Sequence, residues 1–313
     1  MDSIRFQKLT DIPVPSDGYP LVAKSVANDG SLLFLSIEPA GLAPVAEIDE
    51  IGGVFTRTRK RGPKRFRLSI WRQNGSLRTI DLPPLDVSFP RVDIFPDGRI
   101  LLVSSRCEWR GQDDYDLNGV VFDPKTGKVS RILLGDGITS AQVDALGRIW
   151  VSYYDEGIFG NYGWGGSGPP PIGSRGLVCF SELGEKVWEY PVSYEIDDCC
   201  ALNVSDAEAA IFFYADSPIC RISSDFRLER WATNLDSCHQ FAITKTAVLL
   251  TDQYSGPPDV AYLGRLGAGR LVDTRQVRML LPDGSPLPQA QLLGRGRHLY
   301  FFDAVSAYRA SLD

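Results

Sequence analysis

LLFLSIE (residues 32–38), IWVSYYD (149–155), IFFYAD (211–216), VLLTD (248–252) and LYFFD (299–303) share one pattern, an apolar strand-forming run that stops on a carboxylate. A sixth copy, ILLVSSR (100–106), ends on Arg106 instead. Each follows a turn marked by Gly, Asp or polar residues, and each but the last is followed by two further strand-like runs. Val, Ile, Leu and aromatic residues in short runs, punctuated by Gly, Pro, Asp and Asn, are strand signals. Recurrence at this scale signals a modular architecture.

Working outward from these runs gives a four-strand module. The second copy reads FPRVDIF, an Asp97-Gly98 turn, RILLVSSR, NGVVFDPKTG and KVSRILLG; the third reads SAQVDALG, RIWVSYYD, RGLVCFSELG and EKVWEYPV. The pairs Val92-Asp93 and Val143-Asp144 are expected to be equivalent. The sixth module is one strand short, and the N-terminal RFQKLTDI is an orphan strand able to complete it. A ring closed by both termini leaves no exposed edges. The predicted fold is therefore all-β: a six-bladed β-propeller of four-stranded antiparallel blades, with the N-terminal strand joining the last blade and residues 1–313 forming one domain.

Composition narrows the function classes. Hydrophobic content of 43% and charged content of 23% are those of an ordinary globular protein. A net charge of −6 argues against nucleic acid as a partner, and no apolar run approaches a membrane span. Two histidines are too few for the usual histidine-rich zinc or iron site. The six cysteines show no CxxC spacing, and the adjacent Cys199-Cys200 point to opposite faces of a strand; free buried thiols in a cytoplasmic protein are expected.

In a propeller the loop between second and third strands opens on the face that usually holds the site. Glu38, Arg106, Asp155, Asp216, Asp252 and Asp303 then form a ring at one rim, although Asp at a strand end also caps the following turn. The loops after Glu38, Arg106 and Asp155 are long, roughly twenty-five, a dozen and twenty residues, and long loops in compact domains are often functional. The loop YYDEGIFGNYGWGGSGPPPIGSRG combines Tyr153, Tyr154, Asp155, Glu156 and Trp164 with many glycines, a set suited to a sugar, amine or peptide. CEWRGQDDYDLN adds Trp109 as a ligand-binding candidate and oxygen donors, Asp113, Asp114 and Asp116, for a divalent metal such as Ca2+. FTRTRKRGPKRFR places a basic cluster over 57–67, read as an exposed hairpin tip. Asp155, Glu156 and His239 are the candidate proton-moving residues, with His239 suited to general-base chemistry. Neighbouring Cys238 does not form a dyad with it, because adjacent strand residues face apart.

With these modules the chain resembles the six-bladed group that includes NHL-repeat and gluconolactonase-type proteins. That resemblance implies a divalent metal at the channel held by Glu, Asn and Asp side chains, for which Glu38, Asn203, Asp155 and Asp252 are of the right types. No GxSxG, HExxH, Walker or GxGxxG motif stands in a supporting context. The expected function is a cytoplasmic propeller binding a small polar molecule, a peptide or a protein on its loop-rich face. The alternative is a hydrolase or lyase acting on a small polar substrate at the channel mouth, with Arg106 holding an anionic group.

Overall fold

The computed structural model describes residues 2–13, 18–42, 46–48, 54–56, 62–192, 195–252 and 256–312. Six antiparallel sheets follow one another around a ring. Blade 1 comprises Leu21–Val26, Leu32–Ile37, Phe66–Trp71 and Leu77–Asp81; blade 2, Pro90–Ile94, Ile100–Ser104, Gly119–Phe122 and Val129–Ile132. Blade 3 holds Ile138–Val143, Ile149–Tyr153, Leu177–Phe180 and Lys186–Glu189; blade 4, Ala201–Ser205, Glu208–Phe212, Ile219–Ile222 and Leu228–Trp231. Blade 5 contains Gln240–Ile243, Ala247–Thr251, Val260–Leu266 and Leu271–Leu280. Blade 6 contributes Gln291–Arg295, His298–Phe302 and Ser306–Ser311, and the N-terminal Gln7–Asp11 pairs antiparallel with Ser306–Ser311 as its fourth strand.

The ring therefore closes as the sequence predicts. One further strand, Asp2–Arg5, pairs parallel to Leu271–Leu280 and gives blade 5 a fifth strand. The N-terminal segment thus covers the outer edges of two consecutive blades, which protects them from pairing with other chains.

The opening runs are apolar without alternation because both faces of each second strand meet a neighbouring blade. Every residue of Leu32–Ile37, Ile100–Ser104 and Ile149–Tyr153 is buried. Buried clusters fill the joints between blades: Leu33, Leu68 and Leu102 between the first two, for example, and Phe6, Leu249 and Phe301 between the last two. Full burial of each such side chain is worth roughly 1.5–3 kcal/mol.

Polar side chains of the inner strands join successive blades around the channel. Asp93 accepts the Val143 N–H (2.8 Å), Gln142 accepts the Val204 N–H (2.8 Å), and Gln240 accepts the Gly294 N–H (2.8 Å). Asn203 donates to the carbonyls of Phe241 (2.6 Å) and Gly296 (3.0 Å) and accepts the Gly296 N–H. Arg295 of blade 6 crosses the axis, donating to Gln142 Oε1 (2.8 Å) and the Val143 carbonyl (2.5 Å), with Asp93 at 3.4 Å. It is buried and obstructs the channel at this level.

The expected equivalence of the two Val-Asp pairs does not hold. Ile94 pairs with Ile100 and Val143 with Ile149, so Asp93 corresponds to Gln142, while Asp144 lies beyond its strand. There Asp144 accepts the Leu146 and Arg148 N–H groups and the Trp150 indole N–H.

Candidate functional site

The inner strands and second-to-third-strand loops frame a cavity of about 520 Å³ at the channel mouth, on the face the repeat identified. Its chemistry-bearing lining is Arg91, Arg106, Thr139, Tyr154, Asp198 and His239, with Phe89 and Val22 as apolar wall. A second volume of about 470 Å³ continues it down the channel, past Cys200 and Gln240 to the level of Gln142. Arg295 lies beneath, so the opening is a blind pocket.

Asp198 and His239 are among the titratable groups on this wall that depart from their ordinary values. Burial pushes the Asp198 carboxyl up to about 6, and the nearby Asp155 carboxylate adds to the shift. Burial holds the His239 imidazole below its ordinary value, opposed by Asp252, whose Oδ1 lies 3.9 Å from Nδ1. Cys200 remains a thiol, pushed to about 12 by burial and then by Asp198. All six cysteines are free, and none but Cys200 is other than buried.

Arg106, the copy that breaks the carboxylate ring, organises the loops instead of facing solvent. Its side chain is 7% exposed and lies 3.0 Å from Asp136 Oδ2. It donates to Glu156 and the Tyr154 hydroxyl, and its guanidinium stacks 4.3 Å over the Tyr162 ring. Asp136 was not anticipated. Its carboxylate accepts the Cys107 N–H (2.7 Å), and burial raises it to about 7 against the pull of Arg106. The available signal was Gly135-Asp136-Gly137, a carboxylate between two glycines that both have positive φ. At Gly137 a Cβ would overlap the Gly157 backbone, so this turn packs directly on the short helix Asp155–Phe159.

The loops of blades 2 and 3 are joined as one wall. Trp109 donates its backbone N–H to the Tyr162 carbonyl (2.8 Å), and the half-buried Trp109 lies where a Cβ at Gly163 would overlap its carbonyl oxygen. The buried Trp164 donates its indole N–H to the Cys107 carbonyl (2.8 Å). Tyr153 is fully buried and donates its hydroxyl to the Leu134 carbonyl. Trp109, Tyr153 and Trp164 are thus packing residues of the wall rather than part of the cavity lining, in contrast to Tyr154.

The remaining ring members separate. Glu38 accepts the Arg65 N–H (3.2 Å), and Asp303 caps its turn by accepting the Val305 and Ser306 N–H groups. Asp216 is exposed, 3.6 Å from Arg230. Asp155 is exposed and accepts the Glu156 N–H, while Glu156 is committed to Arg106; neither lines the cavity. Among the sequence-predicted proton-moving residues, His239 lines it, and the carboxylate that shares the cavity with it is Asp198. Of the basic 57–67 segment, Arg57, Arg59, Lys60 and Arg61 lie outside the described residues.

The metal set implied by the gluconolactonase resemblance does not fit. The Asn203 amide is consumed by backbone groups, and the Glu38 carboxylate accepts the N–H of Arg65, just before Phe66–Trp71. The acidic loop of blade 2 does not fit either, since Glu108, Asp114 and Asp116 surround the Arg110 guanidinium at 3.3, 2.8 and 3.0 Å. Among the described residues no three His, Cys, Asp or Glu side chains converge as a metal site.

Comparison with known proteins gives a match of residues 173–310 to the YxzG family model. No curated protein sequence matches the chain. Similar solved structures include virginiamycin B lyase from Staphylococcus aureus, 11% identical over 98% of this chain and 100% of the lyase, with a TM-score of 0.49. A streptogramin B lyase is 12% identical over 98% of this chain and 97% of its own, with a TM-score of 0.48. A gluconolactonase-like protein is 13% identical over 80% and 84%, with a TM-score of 0.41. The propeller assignment rests on the strand pairing itself.

Proposed function

We propose that this chain is a cytoplasmic propeller that binds a small polar molecule at its channel mouth. The observation that carries this reading is the blind cavity of about 520 Å³, whose wall combines charged, hydrogen-bonding and aromatic side chains. Ligand pockets are typically of this size, with a few polar groups placed to fix orientation. Free thiols throughout suit a reducing compartment. The test is a thermal-shift screen of small polar metabolites against the full chain, repeated on Thr139→Trp, which fills the cavity wall, and on Leu183→Ser, a control at an exposed turn on the opposite face. Hits that disappear in Thr139→Trp and persist in the control support the mouth. Hits unchanged by Thr139→Trp would place binding elsewhere.

A second reading, acid–base catalysis by a hydrolase or lyase, is favoured by one observation. Asp198 is raised to about 6 and His239 is lowered, on the wall of one cavity. A carboxyl raised and an imidazole lowered on one wall are brought toward each other, which suits them to exchanging protons with a bound substrate. NMR monitoring of the screening hits separates the readings: turnover lost in both His239→Gln and Asp198→Asn supports the enzyme, and unchanged ligand spectra after prolonged incubation exclude it for those ligands.

A further inference from the structure

Two opposite charges border the mouth without counter-charges among the described residues. Arg91 projects from the inner strand of blade 2 and is exposed; among the described residues its one hydrogen bond is from Nε to the Thr139 carbonyl (3.2 Å), and it forms no ion pair. Asp198 precedes the inner strand of blade 4 and is half-buried; among the described residues its carboxylate has neither an ion pair nor a hydrogen bond. Nearby Arg106 shows the contrast, since its guanidinium is ion-paired with Asp136 and Glu156 and donates to the Tyr154 hydroxyl. Charges in a partly desolvated wall cost free energy unless something pairs with them. Here each stands across blade 3 from the other, and both border the same cavity.

We propose that the mouth takes a zwitterionic small molecule of the amino-acid or short-peptide class, its carboxylate on Arg91 and its ammonium on Asp198. A simple anion would satisfy Arg91 but meet repulsion from Asp198 and the adjoining Asp155. A simple cation would meet the reverse. A ligand carrying both charges satisfies each pole at once, and a cavity of this volume, roughly 10 Å across if taken as a sphere, spans the separation of termini in a dipeptide. Phe89, 41% exposed at the rim, offers an apolar surface to one side chain. This assignment rests on the mouth being the binding site.

Calorimetric titration of the full chain with glycyl-phenylalanine, its N-acetyl derivative and its C-terminal amide tests it. The free dipeptide is expected to bind, with each blocked form at least tenfold weaker. In Arg91→Gln the amide should lose no further affinity relative to the free dipeptide, and in Asp198→Asn the same should hold for the acetylated form. Both side chains reach solvent, so both variants are expected to fold, which circular dichroism checks. Equal binding of the blocked forms, still abolished by Thr139→Trp, overturns the zwitterion while leaving the mouth. Absence of dipeptide and free amino-acid binding at millimolar concentration also overturns it; the mouth then stands only if other polar compounds bind in a Thr139-dependent way.

Discussion

Replacing Arg106 by Met tests whether the residue that interrupts the carboxylate ring is a structural pivot. The Arg106 side chain is 7% exposed and its partner Asp136 2%, at 3.0 Å. Removing one member of a buried pair typically costs about 3–5 kcal/mol, because the other charge is left buried and uncompensated. The Glu156 contact adds little, since that carboxylate is 43% exposed and screened by solvent; such pairs give about 0–1 kcal/mol. Losing the bond to the Tyr154 hydroxyl contributes about 1 kcal/mol. Arg106→Met is therefore expected to lose about 4–6 kcal/mol in urea unfolding followed by tryptophan fluorescence. Asp136→Asn removes the stranded charge while keeping an oxygen for the Cys107 N–H, so the double variant should recover at least half of the loss.

The pH dependence has a defined sign. Asp136 is already raised to about 7, by burial acting against Arg106, and losing Arg106 raises it further. A carboxyl whose folded-state value exceeds its unfolded one favours folding as it protonates. The deficit of Arg106→Met should thus be largest near pH 8, shrink as pH falls through about 7, where Asp136 protonates in the parent, and level off below that. Hydrogen exchange should show lost protection in Asp155–Phe159, which Glu156 ties to Arg106. A loss below about 1 kcal/mol, or a deficit that widens on acidification, would refute the buried-pair reasoning.

Other consequences follow from the same contacts. Asn203→Ala leaves the Phe241 carbonyl and both Gly296 backbone groups buried without their partner, so a loss of about 3–5 kcal/mol is expected in urea unfolding. By NMR titration His298 should have its midpoint at about 4 and His239 below the ordinary histidine value, with Asp252→Asn lowering His239 further. Because both folded-state values are depressed, the two histidines should cost stability as pH falls from about 6.5 toward 4. Deleting residues 1–11 uncovers the outer edges of Leu271–Leu280 and Ser306–Ser311, and light scattering should then show self-association that the full chain lacks.

The blade count, the strand order and closure by the N-terminal segment were legible because each depends on a short periodic signal and a missing strand. The candidate site was legible to the level of a face, and the reason it stopped there is depth. Residues two apart on an inner strand point to the same side, so Arg91 and Asp93 both read as channel residues. One step down, Asp93 is enclosed by the amides of Ile94 and Val143 and becomes a stitch between blades. One step up, Arg91 reaches the mouth and forms no ion pair among the described residues. Gln142, Asn203 and Gln240 fall on the deep side of this divide; His239 and Asp198 fall on the mouth side. Nothing in residue type separates the two sets, because the partner is set by how far each strand slides past the next blade. The displaced Val143-Asp144 pair shows the same effect: a plausible alignment two residues out of step changes a channel carboxylate into a turn cap. The ring of strand-end carboxylates misleads for the opposite reason. Those positions share their depth, and backbone amides satisfy two of them without any ligand: Glu38 accepts from Arg65, just before Phe66–Trp71, and Asp303 from its own turn. Charge that the fold leaves unsatisfied, rather than charge that recurs, is what distinguishes Arg91 and Asp198.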